Sequence, residues 1–168
     1  MGFSGSFVLA RSAPGGIGWV GEPLTATTYA DSWTSASYDG EDAFWDRDRT
    51  LRRLVEETQS PALVGLCLDS DFLGVVGVSP DGATWNGVVY RDAAEEYREE
   101  GLEEEYDEVV PSFAPPDTAV AGALVWASHA GGLADEDALR RILTTSEWVQ
   151  PADAFWEELV NALGVPAG

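Results

Sequence analysis

Three short apolar runs in the middle of the chain constrain its fold more than any other feature. The runs cover residues 62–68, 72–79 and 84–90, and each is rich in Val or Leu. The connectors, Asp69-Ser70-Asp71 and Pro80-Asp81-Gly82, have the composition of tight turns. Strands joined by such short connections pair in the antiparallel direction. The centre of the chain therefore predicts a three-stranded antiparallel meander.

The segments before the meander predict one strand, the start of a second, a loop and a helix. Residues 3–11 predict the first strand, and residues 19–20 begin a short second one. Residues 25–40 combine Thr, Ser, Ala and Asp with aromatic residues, and we interpret them as a packed loop. Apolar residues recurring on one helical face predict a helix over residues 41–58, with Asp39 as its cap.

The segments after the meander predict a helical half. The proline-rich residues 111–116 predict an extended connector, and helical patterns follow at residues 117–130, 135–144 and 151–163. A chain of 168 residues fits a single domain, here residues 1–168. We therefore predict an α+β fold. Its antiparallel sheet has three to five strands, with one helix before the central meander and several helices after it.

The composition is that of a folded protein. The chain is 45% hydrophobic and contains seven tryptophans, whereas disordered acidic chains are poor in such residues. Its single cysteine, Cys67, excludes an internal disulfide and predicts a buried thiol in a reducing compartment. No apolar run approaches the roughly 18 residues of a membrane span, and no secretion signal opens the chain. We expect a cytoplasmic protein that makes no membrane contact.

The basic residues are unusual because all nine are arginine and none is lysine. Together with the many Ala, Gly and Asp residues, this usage is typical of a GC-rich genome such as that of an actinobacterium. Salt adaptation is the alternative, because halophilic proteins also carry acidic surfaces.

The strongest functional signal is a run of acid at residues 91–108, which holds ten carboxylates and two arginines. The whole chain has a formal net charge of −21, so this dense run of acid belongs to an already anionic protein. Such charge favours a basic protein partner and disfavours direct binding of nucleic acid. The predicted partner-binding residues are Glu95, Glu96, Glu99, Glu100, Glu103, Glu104, Glu105, Asp107 and Glu108.

The acidic run has the spacing of a helix. Tyr90, Ala94, Tyr97 and Gly101 fall on one helical face, and the glutamates line up four residues apart on the others. Like charges at this spacing repel by a few tenths of a kcal/mol per pair. The face has two interpretations. In the first, it keeps the protein in solution. In the second, it is a docking surface for a basic partner, or its charge mimics a phosphate backbone and attracts cationic nucleic-acid-binding proteins.

Other candidate sites are weaker. Asp69 and Asp71 can hold a divalent cation, but a hairpin turn uses the same residues. His129 is the only histidine, and the adjacent Ser128 points about 100° away on a helix, which disfavours a catalytic triad. The glycine-rich residues 15–18 lack the spacing of a phosphate loop and predict a hairpin. We predict no catalytic residue, no metal site and no cofactor.

Five segments resemble those of an uncharacterised family of small acidic actinobacterial proteins. They are Met1-Gly2-Phe3-Ser4-Gly5, Pro61-Ala62-Leu63-Val64, Asp69-Ser70-Asp71, Ser79-Pro80-Asp81-Gly82 and Ala162-Leu163-Gly164-Val165-Pro166. These segments are turns and core strands, so the resemblance implies no activity. In overall character the chain is also similar to immunity proteins, which neutralise partner toxins.

Three functional hypotheses follow from these observations. The first is a non-enzymatic immunity or inhibitor protein that engages a basic partner through the acidic run. The second is a housekeeping or structural domain whose acidity serves solubility only. The third is a small-ligand-binding protein or enzyme with an aromatic-lined pocket, for which Trp19, Trp33, Trp45 and Trp85 are available. No feature of the sequence sets the oligomeric state.

Overall fold

A six-stranded antiparallel sheet organises the computed structural model, which describes residues 2–165. Met1 and Pro166, which belong to two of the segments that resemble the actinobacterial family, lie outside this range. The strand order is β2-β3-β1-β4-β5-β6, and each neighbouring pair is antiparallel. The strands are β1 (Gly5–Ala10), β2 (Thr25–Thr28), β3 (Thr34–Tyr38), β4 (Ala62–Leu68), β5 (Phe72–Val78) and β6 (Thr84–Val89). The predicted α+β class and antiparallel sheet are confirmed.

The meander of β4, β5 and β6 forms as predicted. Leu68 pairs with Phe72 across the first connection, and the Asp71 N–H donates to the Leu68 carbonyl at 2.9 Å. Asp69 and Ser70 both have positive φ, 50° and 59°, as in the tight turns that match the twist of paired strands. Asp tolerates this backbone region better than most residues, which explains its use here.

The sheet is wider than the predicted three to five strands. Residues 25–40, interpreted as a packed loop, instead contain β2 and β3. All four residues of β2 are exposed, so this edge strand lacks the apolar alternation by which strands are recognised. Pro14–Val20 is a 3-10 helix, so the predicted strand at residues 19–20 and the glycine hairpin at residues 15–18 are both wrong. Pro14 begins this helix because its fixed φ suits a first helical turn.

Helices flank the sheet. They are α1 (Asp42–Trp45), α2 (Arg47–Thr58), α3 (Arg91–Glu103), α4 (Pro116–Ala130), α5 (Glu136–Leu143) and α6 (Phe155–Ala162). Short 3-10 turns at Ala30–Ser32 and Ala152–Ala154 complete the elements. None of the helices within residues 2–165 has the length and apolar content needed to cross a bilayer.

The helix predicted over residues 41–58 is two helices that break at Asp46. Glu41 precedes the first helix, so the prediction of Asp39 as the cap is wrong. Phe44, Leu51 and Leu54 are all buried. Phe44, Leu51 and Leu54 keep the seven- and three-residue spacing of one helical face across the break, so the apolar pattern does not reveal it.

Both faces of the sheet are covered. On one face, the Trp156 ring of α6 lies over Gly65, where an added Cβ would be 2.9 Å from it. Residues 73, 75 and 77 of β5 share the face of Gly65. Because side chains alternate along a strand, Phe72 points to the opposite face. Tyr97 of α3 packs on Phe72 with ring centroids 5.5 Å apart. Helices α3 and α6 therefore lie on opposite sides of the sheet.

Cys67 is buried in β4, as the sequence predicts. Its Sγ lies 3.6 Å from the Phe3 carbonyl oxygen. Burial raises the pKa of the thiol to about 12, and the negative charge of Asp153 adds to the effect. The thiol is therefore a protonated core group at neutral pH and not a nucleophile.

Candidate acidic binding surface

The acidic run folds into a helix and a loop, which together we call the acidic surface (residues 91–108). Ala94 and Gly101 are buried on the inner side of α3, and Tyr97 is half-buried there, so three residues of the predicted inner face are confirmed. Tyr90 differs, because it precedes the helix with a φ of 62°. Its hydroxyl donates to the Gln150 carbonyl at 2.8 Å and so joins α3 to the C-terminal segment.

All of the predicted partner-binding carboxylates lie at the surface. Glu95 is half-buried, and the other eight are exposed. The helix ends at Glu103, so those from Glu104 onward belong to the loop and not to a continuous helical face. The exposed eight are Glu96, Glu99, Glu100, Glu103, Glu104, Glu105, Asp107 and Glu108.

Little positive charge is available to neutralise this surface. Within residues 2–165, the only salt bridge made by the predicted partner-binding carboxylates joins Glu95 to Arg98, at 3.8 Å. The Arg91 guanidinium instead donates to the carbonyl oxygens of Phe113 and Ala114, at 3.0 and 2.5 Å. Arg91 therefore fastens the connector to the helix and leaves the carboxylates unneutralised.

The position of the acid on α3 is electrostatically unfavourable. Glu99, Glu100 and Glu103 lie in the last two turns of the helix, where the helix dipole already presents partial negative charge. Repulsion between glutamates four residues apart adds to this cost. The charge is therefore concentrated at the end of the helix where it stabilises the fold least.

The chain reverses direction just after α3. The Glu104 N–H donates to the Glu100 carbonyl at 3.0 Å, and the Tyr106 N–H donates to the Gly101 carbonyl at 3.2 Å. Between them, Glu105 adopts a left-handed conformation with a φ of 54°. This pattern is that of a Schellman motif, with glutamate at the position that usually holds glycine. The reversal brings Tyr106 and Glu108 back alongside the helix.

A concavity opens between the helix end and the returning loop, and we call it the tyrosine pocket. Its volume is about 270 Å³. Three aromatic residues and two carboxylates surround a buried glycine, and Leu68 and Val110 supply further apolar contact. The surrounding residues are Trp45, Tyr97, Tyr106, Glu100, Glu108 and Gly101. The pocket is therefore aromatic inside, acidic around its edge, and lined by no basic residue.

The electrostatic environment of the two tyrosines shows the sign of the local field. Burial and the hydrogen bond and charge of Asp71 raise the pKa of Tyr97 to about 12. The negative charges of Asp69 and Glu100 act in the same direction. A hydrogen bond to Glu104 likewise raises the pKa of Tyr106. The contributions of these carboxylates, unlike that of burial, have the sign that also favours a bound cation.

The Asp69-Ser70-Asp71 turn makes several contacts within the fold. Asp69 Oδ1 accepts from the Gly2 N–H at 2.8 Å. The Ser70 hydroxyl accepts from the Phe3 N–H at 2.7 Å and donates to Asp153 at 2.6 Å. Over residues 2–165, no group of three or more His, Cys, Asp or Glu side chains is placed to hold a metal ion. The contacts give the turn a structural role.

His129 does not line the tyrosine pocket. Its Nε2 is 3.4 Å from Asp81 Oδ2, and its side chain is partly exposed. The neighbouring Ser128 hydroxyl donates to the Val125 carbonyl within its own helix, at 2.7 Å. The two side chains therefore have different partners.

Of the tryptophans considered for a ligand pocket, only Trp45 lies in the tyrosine pocket. Trp33 is buried against Trp126 with ring centroids 5.9 Å apart, and Trp85 is also in the core. The Trp19 ring lies under the Arg53 guanidinium at 4.0 Å. The sequence prediction missed the role of Tyr106, although a tyrosine among consecutive carboxylates was its visible signal.

Comparisons with protein-family models, with curated proteins and with solved structures found no match to this chain. The proposed function therefore rests on the geometry of the site.

Proposed function

We propose that this protein is a non-enzymatic acidic binding protein, of the immunity or inhibitor type, that engages a basic partner protein through the acidic surface. An arginine or lysine side chain of the partner enters the tyrosine pocket. The observation that carries the proposal is the pocket itself, in which aromatic faces and carboxylates converge within the acidic surface.

The chemistry of the pocket suits a cationic side chain. Aromatic faces attract a guanidinium or ammonium group by about 0.5–1 kcal/mol at exposed sites, and more when water is excluded. Glu100 and Glu108 supply carboxylate acceptors for its N–H donors. Arginine fits best, because its planar group stacks on a ring while its edge donates hydrogen bonds.

Apolar side chains lie exposed among the carboxylates around the pocket. Leu102 and Tyr106 are 54% and 55% exposed among the carboxylates. Aromatic residues are enriched at protein interfaces, and a row of carboxylates accelerates association with a basic partner. Leu102 and Tyr106 therefore give a docking partner apolar area to contact beside the charge.

The proposal is tested by capture of the partner from an extract of the producing organism. The acidic-surface variant carries Glu99→Lys, Glu100→Lys, Glu103→Lys and Glu104→Lys. A matched control carries Glu22→Lys, Glu56→Lys, Glu147→Lys and Glu158→Lys, which are exposed glutamates elsewhere with the same change in charge. Bound proteins are quantified by mass spectrometry at low salt and at about 0.5 M salt, where surface charges are strongly screened.

We expect a basic protein that binds the wild type and the control, is lost from the acidic-surface variant, and elutes with salt. If the acidic-surface variant retains every protein that the control retains, the proposal is wrong. The solubility hypothesis then predicts that the variant differs from the wild type only in its precipitation.

A further inference from the structure

A second concavity lies on the opposite side of the sheet from α3, between the β2–β3 edge and the start of α6. We call it the hydroxyl cleft. Its volume is about 370 Å³, within the range of small-molecule sites. It shares no lining residue with the tyrosine pocket. The two concavities are therefore separate candidate sites.

The floor of the cleft is a patch of four hydroxyl groups. Thr25 pairs with Ser37, and Thr27 pairs with Ser35, in the antiparallel register of β2 and β3. Because side chains alternate along each strand, all four hydroxyls point to the same face. Thr25 Oγ1 and Ser37 Oγ are hydrogen-bonded at 2.6 Å. The floor therefore offers closely spaced polar groups to a ligand.

One wall of the cleft is aromatic and held in place. The Trp156 ring stacks on Phe7 with centroids 4.8 Å apart and an interplanar angle of 18°. Its Nε1–H donates to Ser35 Oγ at 2.7 Å, and Ser35 is only 8% exposed. Having accepted this bond, the Ser35 hydroxyl still has its own proton to donate. The side chains that line the wall are thus positioned before any ligand arrives, which lowers the entropic cost of binding.

The rim of the cleft is acidic. Asp153 and the exposed Glu157 contribute carboxylates, and no arginine lines the cleft. Burial, and then the charge of Glu157, raise the pKa of Tyr29 at one end. The rim therefore attracts cations and repels anions such as phosphates.

We propose that the hydroxyl cleft binds a small organic cation, namely a primary amine that carries an aromatic ring. The ring lies against the Phe7 and Trp156 wall, and the ammonium group is held by Glu157 with Asp153 beside it. The hydroxyl floor receives the remaining polar groups of the ligand. Charge selects this class over a neutral ring compound, since both rim groups accept hydrogen bonds and carry negative charge.

The test uses three probes that share a phenyl ring and differ in charge. They are phenethylamine, which is cationic, 2-phenylethanol, which is neutral, and phenylacetate, which is anionic. Binding is followed by the indole N–H signal of Trp156 in ¹H–¹⁵N spectra, identified by its absence from a Trp156→Phe variant. We expect saturable binding of phenethylamine, at least about tenfold weaker binding of 2-phenylethanol, and none of phenylacetate.

Matched variants locate the binding. Glu157→Gln is expected to weaken phenethylamine binding by at least about fivefold, whereas Glu158→Gln, which makes the same charge change outside the cleft, changes it less than about twofold. Thr25→Phe on the exposed edge strand fills the cleft and abolishes binding without disturbing the core. Tyr106→Ala in the tyrosine pocket leaves phenethylamine binding unchanged, which separates this inference from the proposed function.

Three outcomes would overturn the proposal. The first is that phenethylamine gives no saturable shift of the Trp156 signal. The second is that the three probes bind with equal affinity. The third is that Glu157→Gln and Glu158→Gln have equal effects on phenethylamine binding. Equal affinities would show that the cleft binds the phenyl ring whatever the charge of the ligand.

Discussion

The Tyr97 hydroxyl donates a 2.9 Å hydrogen bond to the Asp71 carboxylate, which ties helix α3 to the turn between β4 and β5. The same ring packs on Phe72 and lines the tyrosine pocket. One side chain thus joins the acidic helix to the sheet and shapes the proposed docking site.

Replacing Tyr97 by Phe tests the stabilising role of this hydrogen bond. The ring and its packing on Phe72 remain, and only the bond to Asp71 is lost. We expect the free energy of unfolding to fall by about 1 kcal/mol, the usual contribution of one hydrogen bond. Urea unfolding measures the change. Equal stability of Tyr97→Phe and the wild type would show that the bond contributes nothing.

The raised pKa of Tyr97 predicts a loss of stability at high pH. Its folded-state pKa is about 12, above the ordinary value of 10.0, so the folded state holds the proton more tightly. The resulting stabilisation is complete below about pH 10 and is lost as the pH rises towards 12. Urea midpoints over this range measure it. Tyr97→Phe lacks this part of the pH dependence, and an unchanged slope in that variant would contradict the assignment.

Glu105 offers a test of the chain reversal. Its φ of 54° lies in the left-handed region that favours glycine. Glu105→Gly is expected to raise the free energy of unfolding by about 0.5–1 kcal/mol. Glu105→Gln is the control, since it removes the same charge but keeps the side chain in the strained region. If the two variants are equally stable, charge and not backbone conformation explains the gain.

Salt should stabilise this protein through the acidic surface. Repulsion among the carboxylates of α3 is screened when the salt concentration rises from about 10 mM to 150 mM, so the melting temperature should rise. The double variant Glu99→Gln, Glu103→Gln reduces this dependence on salt. The matched pair Glu56→Gln, Glu147→Gln, which lies elsewhere on the surface, reduces it less. Scanning calorimetry at the two salt concentrations measures both slopes, and equal slopes would contradict the prediction.

The parts of the fold that sequence predicts are those in which local pattern and tertiary burial agree. The β4–β5 connection was predicted because Asp69 and Asp71 flank a tight turn between two apolar runs. Strand β2 was missed because an exposed edge strand of Thr and Ala has no buried face to impose an apolar alternation. Thr25 and Thr27 of this strand share one face and form part of the floor of the hydroxyl cleft.

The acidic surface was predicted from sequence, but its pocket was not. The carboxylates are local in the chain, and their exposure follows from charge alone. The tyrosine pocket depends on Trp45, which comes from a distant helix, and on the reversal at Glu105. Contacts between distant segments produce no periodic pattern in the sequence. Neither does a residue other than glycine in the left-handed conformation.

The most direct test of the docking surface measures binding of a short labelled peptide of alternating arginine and glycine by fluorescence anisotropy. A peptide with citrulline in place of arginine is the neutral control. The protein variants are Glu100→Gln with Glu108→Gln in the tyrosine pocket, and Glu56→Gln with Glu147→Gln outside it, so both pairs change the net charge equally. We predict that the pocket pair weakens arginine-peptide binding at least about tenfold more than the outside pair, and that the citrulline peptide does not bind. Equal weakening by the two pairs would show that net charge alone attracts the peptide, and would contradict the account.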